Sequence, residues 1–138
     1  MKPFETIDIS GDAGIKAYGE TLEDAFVNAA VGMYSLITDL GGVLEKQEVH
    51  VEIESHSLEG VLVSWLNELI FRFDAQGFIG KRIEVMALDD NRMAARVSGE
   101  VFDGARHEKG LLVKAATYHR LRIGKEDGLW AIQVILDI

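Results

Sequence analysis

The stretch SLEGVLVSWLNELIFRFDAQG, residues 57–77, decides how the rest of the chain is read. Leu58, Val61, Leu62, Trp65, Leu66, Leu69, Ile70 and Phe73 recur at three- and four-residue steps, the spacing that lines one side of an α-helix. Ser57 supplies a capping side chain just before this run, and Gly77 is a stop signal just after it. Val63 and Phe71 widen the apolar surface, so this helix is expected to be the more buried of two. Asn67 and Glu68 fall on its polar side, where solvation and a partner contact account for them equally well.

Upstream, TLED at 21–24 opens a second helix, with Thr21 as cap and Asp24 returning to the backbone. Its apolar stripe is Leu22, Ala25, Phe26, Ala29, Met33, Leu36, Ile37 and Leu40, and Gly41-Gly42 is expected to end it. Each helix follows a strand: Ile15–Gly19 before the first, and KQEVHVEIES with Val49, Val51 and Ile53 on one face before the second. Both helices begin Ser/Thr-Leu-Glu, a slender sign of an internal strand–helix duplication.

Downstream the period changes to two. RIEVMAL and RMAARVSGEV flank Asp89-Asp90-Asn91 as one hairpin, and LLVKAATYHRLRI and LWAIQVILDI flank GKEDG as another. FDGARHEKG, residues 102–110, lies between the pairs and is the longest candidate functional loop. The sum is an α+β single domain over residues 1–138, with two amphipathic helices packed on a largely antiparallel β-sheet.

Bulk properties narrow the function. No apolar run approaches the ~20 residues needed to span a bilayer, and MKPFETIDISGD carries one Lys followed by acids, unlike a signal peptide. The absence of cysteine excludes disulfides, thiolate catalysis and Cys-type zinc sites, and the cytoplasm is the expected location. Fourteen Lys+Arg against 23 Asp+Glu give a net charge of −9. Lys114, Arg120 and Arg122, expected in a single strand, are the nearest approach to a basic cluster. No direct nucleic-acid binding is therefore expected, and a protein or small-ion partner is favoured.

No P-loop, dinucleotide-binding glycine pattern, nucleophile elbow or helical metal-binding His pair is present. Asp8 and Asp12 bracket a Ser-Gly turn, which suits ordinary turn chemistry and, alternatively, a hard-cation ligand. Asp137 closes an apolar strand whose two faces, Trp130, Ile132, Val134, Leu136 and Ala131, Gln133, Ile135, Asp137, are both largely apolar. Such a strand is central, and its final carboxylate, next to that of Ile138, is either a solvated chain end or a ligand whose charge a cation offsets. His107 and His119 lie in polar settings, where a hydrogen-bonded surface role is the commoner one. His50 and His56 are assigned nothing.

Taken together, DISGDAGIKAYGETLEDAFVNAAVGM, VSWLNELIF, GEVFDGARHEKG, VKAATYH and the ending VILDI resemble the archease family over nearly the whole chain. The resemblance implies a protein cofactor of the GTP-dependent RNA ligase of tRNA splicing and RNA repair. Such a cofactor promotes attachment of GMP to the ligase's active-site His and allows many turnovers. It also implies a divalent metal, Ca²⁺, Mg²⁺ or Mn²⁺, held by residues that fall on Asp12, Asp137 and Ile138. Asp8, His107, Glu108, Lys114 and His119 are then candidates for steadying that site or touching the partner. Where the family usually has DHTAD, this chain has Asp8-Ile9-Ser10-Gly11-Asp12, so Ile9 replaces a His. Two other classes stand beside this expectation: a chaperone-like binding module without a metal requirement, and a metal-dependent hydrolase. The hydrolase lacks a visible nucleophile, base and oxyanion set.

Overall fold

A computed structural model describes residues 2–138. Strands β1 (Phe4–Ile9) and β2 (Asp12–Gly19) form a hairpin, followed by helix α1 (Leu22–Ile37), β3 (Gln47–Glu54) and helix α2 (Leu58–Gln76). The chain then runs through β4 (Phe78–Leu88), β5 (Arg92–Val101), β6 (Ala115–Ala116), β7 (Arg122–Glu126) and β8 (Leu129–Asp137). Every strand pairing is antiparallel. One sheet has the order β1-β2-β8, with β6 and β7 both pairing along the far edge of β8; the other has the order β3-β5-β4.

The helices form where the sequence places their caps. Thr21 Oγ1 accepts the Asp24 N–H at 3.0 Å, and Ser57 Oγ accepts the Gly60 N–H at 3.0 Å. Each satisfies one of the donors that a first helical turn leaves without a partner. The stripe of α2 is buried at Val61, Leu62, Trp65, Leu66, Leu69 and Ile70, and Trp65 Nε1 donates to the Phe26 carbonyl of α1 at 3.2 Å. Tyr34 and Met33 of α1, Ile15 of β2, and Ile132, Val134 and Leu136 of β8 join one continuous core with Val51, Met93 and Val97 of the second sheet. The two helices therefore fill the space between two sheets, each fed by one strand–helix unit.

Three expectations are corrected. Phe71 does not widen the buried face of α2: it is 61% exposed, whereas Val63 is buried. Helix α1 ends at Ile37, before Leu40 and Gly41-Gly42, which lie in a separate 3₁₀ turn capped by Asp39. The reason is tertiary, because the Leu36 and Ile37 carbonyls accept the N–H groups of Leu111 and Gly110, each at 2.8 Å. The third correction is that residues 111–123 are not one strand. They contribute the two-residue β6, a turn through Arg120 at φ +53°, and the start of β7, so Lys114, Arg120 and Arg122 do not share a strand. The hairpin turn after β7 is only Asp127-Gly128, both at positive φ, as two-residue hairpins of right-handed twist require.

Candidate functional site

Strand β1 closes on β2 through Ser10-Gly11, where Gly11 takes φ +79°, a conformation that costs a Cβ-bearing residue ~1 kcal/mol or more. The final pair of this hairpin is Ile9 opposite Asp12. On the other side of β2, the final pair with β8 is Ala13 opposite Leu136. One step beyond that pair, the antiparallel register sets Asp12 against Asp137. Residues so opposed have Cβ atoms roughly 4.5–5.5 Å apart, and like charges in such a pair are destabilising. Asp12 is half-buried and Asp137 exposed, and neither forms an ion pair among the described residues. Ile138, half-buried, packs against the core and anchors the end of the chain.

This is an oxygen-only donor set of the kind that hard divalent cations take. It is a small one: among the described residues no three His, Cys, Asp or Glu side chains gather as a metal group. Asp8 does not extend it, because Asp8 pairs with Ala13 and by alternation projects to the opposite sheet face from Asp12. Lys114 is adjacent through its backbone, its N–H donating to the Asp137 carbonyl at 2.7 Å, while its side chain is exposed. Glu108 is exposed and contributes its carbonyl to Thr38 Oγ1 at 2.6 Å. His119 is exposed in the turn after β6, its N–H directed to Thr117 Oγ1 at 3.3 Å.

His107 departs from its expected surface role, being buried with only 5% exposure. Its Nδ1 accepts the Asp103 N–H at 2.8 Å, which assigns the ring proton of the neutral imidazole to Nε2, 3.0 Å from Glu100 Oε2. Glu100, 3% exposed, also accepts the Leu44 N–H at 2.6 Å and a hydrogen bond from the Arg106 guanidinium, and Lys46 Nζ lies 3.8 Å away as an ion-pair partner. The Arg106 hydrogen bond, then those of the Leu44 backbone and His107, outweigh burial and hold the Glu100 carboxyl down at about 2. Alternation along β5 conceals Glu100. Met93, Ala95 and Val97 face the core, and Glu100 lies by alternation on the opposite face, where it is buried because Leu44, Arg106 and His107 close over its carboxylate, while Val101 is 53% exposed.

Asn67 and Glu68 are occupied within the molecule. Asn67 Oδ1 accepts the Ala116 N–H at 2.8 Å, and its Nδ2 donates to the Ala116 carbonyl at 3.4 Å. Glu68 pairs with Arg72 at 2.9 Å, and Arg72 also donates to the His50 carbonyl. A surface cleft of about 570 Å³ lies elsewhere, around β7, and is bridged by the Lys16–Glu126 ion pair at 3.1 Å.

The model of the Archease protein family (MTH1598/TM1083) matches residues 4–138. The chain belongs to the archease family. It is 40% identical to an archease of Pyrobaculum calidifontis, covering 94% of this chain and 90% of that protein. It is 34% identical to one from Methanopyrus kandleri, covering 99% of both. The solution structure of Methanobacterium thermoautotrophicum protein 1598 superposes with a TM-score of 0.82 at 38% identity, covering all of both chains. A crystal structure from Thermotoga maritima, described as an archease and possible chaperone, shares the fold at a TM-score of 0.66 and 17% identity, over 100% of this chain and 98% of that one. The α+β architecture is thus that of archeases. In this archease, no helix among the described residues is long and apolar enough to cross a membrane.

Proposed function

We propose that this archease is a non-enzymatic, metal-binding activator of a GTP-dependent RNA ligase. In this reading Asp12, Asp137 and a main-chain oxygen of Ile138 hold a divalent cation. The observation that carries it is the register of β2 on β8, which opposes two carboxylates from distant parts of the chain, neither of them paired with a Lys, Arg or His side chain among the described residues. A hard divalent ion bound there offsets their repulsion and supplies positive charge to a partner that handles phosphates. The residues do the rest: β2 and β6 hold the main chain of β8 on both edges, so the carboxylates are presented on a rigid sheet end. Leu111, Leu112 and Tyr118, all strongly exposed, lie just before and after β6 and offer apolar contact area to a protein. The net charge of −9 suits a partner protein better than direct contact with RNA.

The test is ligase guanylylation with the cognate enzyme, comparing wild type with Asp12→Ala and Asp137→Ala. Loss of stimulation in both variants, with folding retained, is expected. Full stimulation by both sinks the metal role. A chaperone-like module without a metal would instead bind many partners and be indifferent to both substitutions.

A further inference from the structure

The clasp between Asn67 and Ala116 has a place in this site, resting on the metal reading above. An asparagine inside a helix is unfavourable, because its amide competes for backbone hydrogen bonds. Asn67 nonetheless sits in the middle of α2, half-buried, between the core residues Leu66 and Leu69. Both of its amide groups go to one residue: Oδ1 takes the Ala116 N–H and Nδ2 gives to the Ala116 carbonyl. That is what a neighbouring strand supplies to an edge residue, here supplied by a helix side chain.

The strand so held is two residues long, too short to order itself. Its other edge lies on the end of β8. Ala116 pairs with Leu136 and Ala115 with Asp137; the Lys114 N–H reaches the Asp137 carbonyl, and the Thr117 N–H and hydroxyl reach the Ile135 carbonyl at 3.1 and 2.8 Å. We infer that Asn67 is a positioning residue for the cation site: by holding β6 from outside, it fixes the main chain of residues 135–137 and hence the aim of Asp137. The following residue, Glu68, forms an ion pair with Arg72 that has no link to β6, so it serves as a matched control on the same helix.

The experiment is calorimetric titration with Ca²⁺ and, separately, Mg²⁺ at a temperature well below melting, paired with amide hydrogen exchange at Lys114 and Ala116. Asn67→Leu is expected to weaken cation affinity by roughly ten-fold or more, in the range seen when groups supporting metal ligands are removed, and to speed exchange at both amides. Asn67→Asp, which keeps the acceptor for the Ala116 N–H, is expected to lose less and remains the deciding variant if Asn67→Leu does not fold. Glu68→Gln is expected to leave affinity unchanged even if it lowers Tm. Wild-type affinity in a folded Asn67 variant, while Asp137→Ala abolishes binding, overturns the positioning role alone. Absence of cation binding by the wild type overturns the metal reading and the affinity role of Asn67 with it, and exchange at Lys114 then decides whether the clasp orders β6.

Discussion

His107 Nε2 and Glu100 Oε2 meet 3.0 Å apart in the interior, with Arg106 on the other oxygen of the carboxylate. This contact ties the loop after β5 to the end of that strand and, through Leu44, to the segment entering β3. Because the Glu100 carboxyl is held at about 2 in the folded chain, its contribution to stability is fully present above the ordinary carboxylate value of about 4.5. That contribution is lost as pH falls through the window between about 4.5 and 2. Glu100→Gln is expected to lower Tm at pH 7, and the gap to wild type is expected to narrow towards pH 2. Thermal melts by circular dichroism across that window check it; a gap independent of pH removes the charge from the explanation.

Tyr34 is fully buried, and its hydroxyl points towards the Gly80 backbone without reaching a hydrogen-bond partner among the described residues. Burial accordingly pushes the phenol pKa up. Tyr34→Phe removes a buried polar group that gains nothing, so stability is expected to hold or rise by up to about 1 kcal/mol. A clear loss in denaturant melts would reveal an ordered water bound to this hydroxyl.

Leu66 is fully buried in α2, whereas Phe71, one turn and one residue later, faces solvent. Leu66→Ala is expected to cost about 2–5 kcal/mol, and Phe71→Ser to stay within about 0.5 kcal/mol. Chemical denaturation of both variants measures the contrast. Equal losses would place Phe71 in a buried interface.

Gly110 lets the loop approach α1 closely. A Cβ there would lie 2.2 Å from the Leu36 carbonyl oxygen, the acceptor for the Leu111 N–H. Gly110→Ala is expected to cost about 1–3 kcal/mol, the usual range for overpacking, and to raise hydrogen exchange at Leu111. An unchanged melting curve would show that the loop detaches without consequence.

A segment fused after Ile138 is expected to weaken divalent-cation binding more than the same segment fused before residue 1, because Ile138 adjoins Asp137 at the paired end of β8. Titration of the two fusions with Ca²⁺ decides this. Identical affinities count against a ligand role for Ile138.

Much of the fold was legible in local pattern. Helical spacing identified both helices; Thr21 and Ser57 marked their starts, and Gly77 the end of the second. The two-faced apolar character of β8 marked it as central, as its pairing with β2 on one edge and β6 and β7 on the other bears out. The end of α1 was not legible, because its last carbonyls are capped by residues more than 70 positions away. Nor was the broken strand around β6, whose outer edge is completed by a side chain of α2 rather than by another strand.

The candidate site divides the same way. The sequence by itself determined that carboxylates stand at both ends of the chain, beside a turn and at a strand terminus, and the family likeness made them candidate ligands of one site. Only the tertiary structure decided that Asp12 faces Asp137, that Asp8 turns to the other sheet face, that His107 is buried on Glu100, and that Asn67 holds β6. Local spacing records which side of an element a residue occupies. Which residue lies opposite depends on strand register and close packing between distant segments, and those are settled only when the whole core assembles.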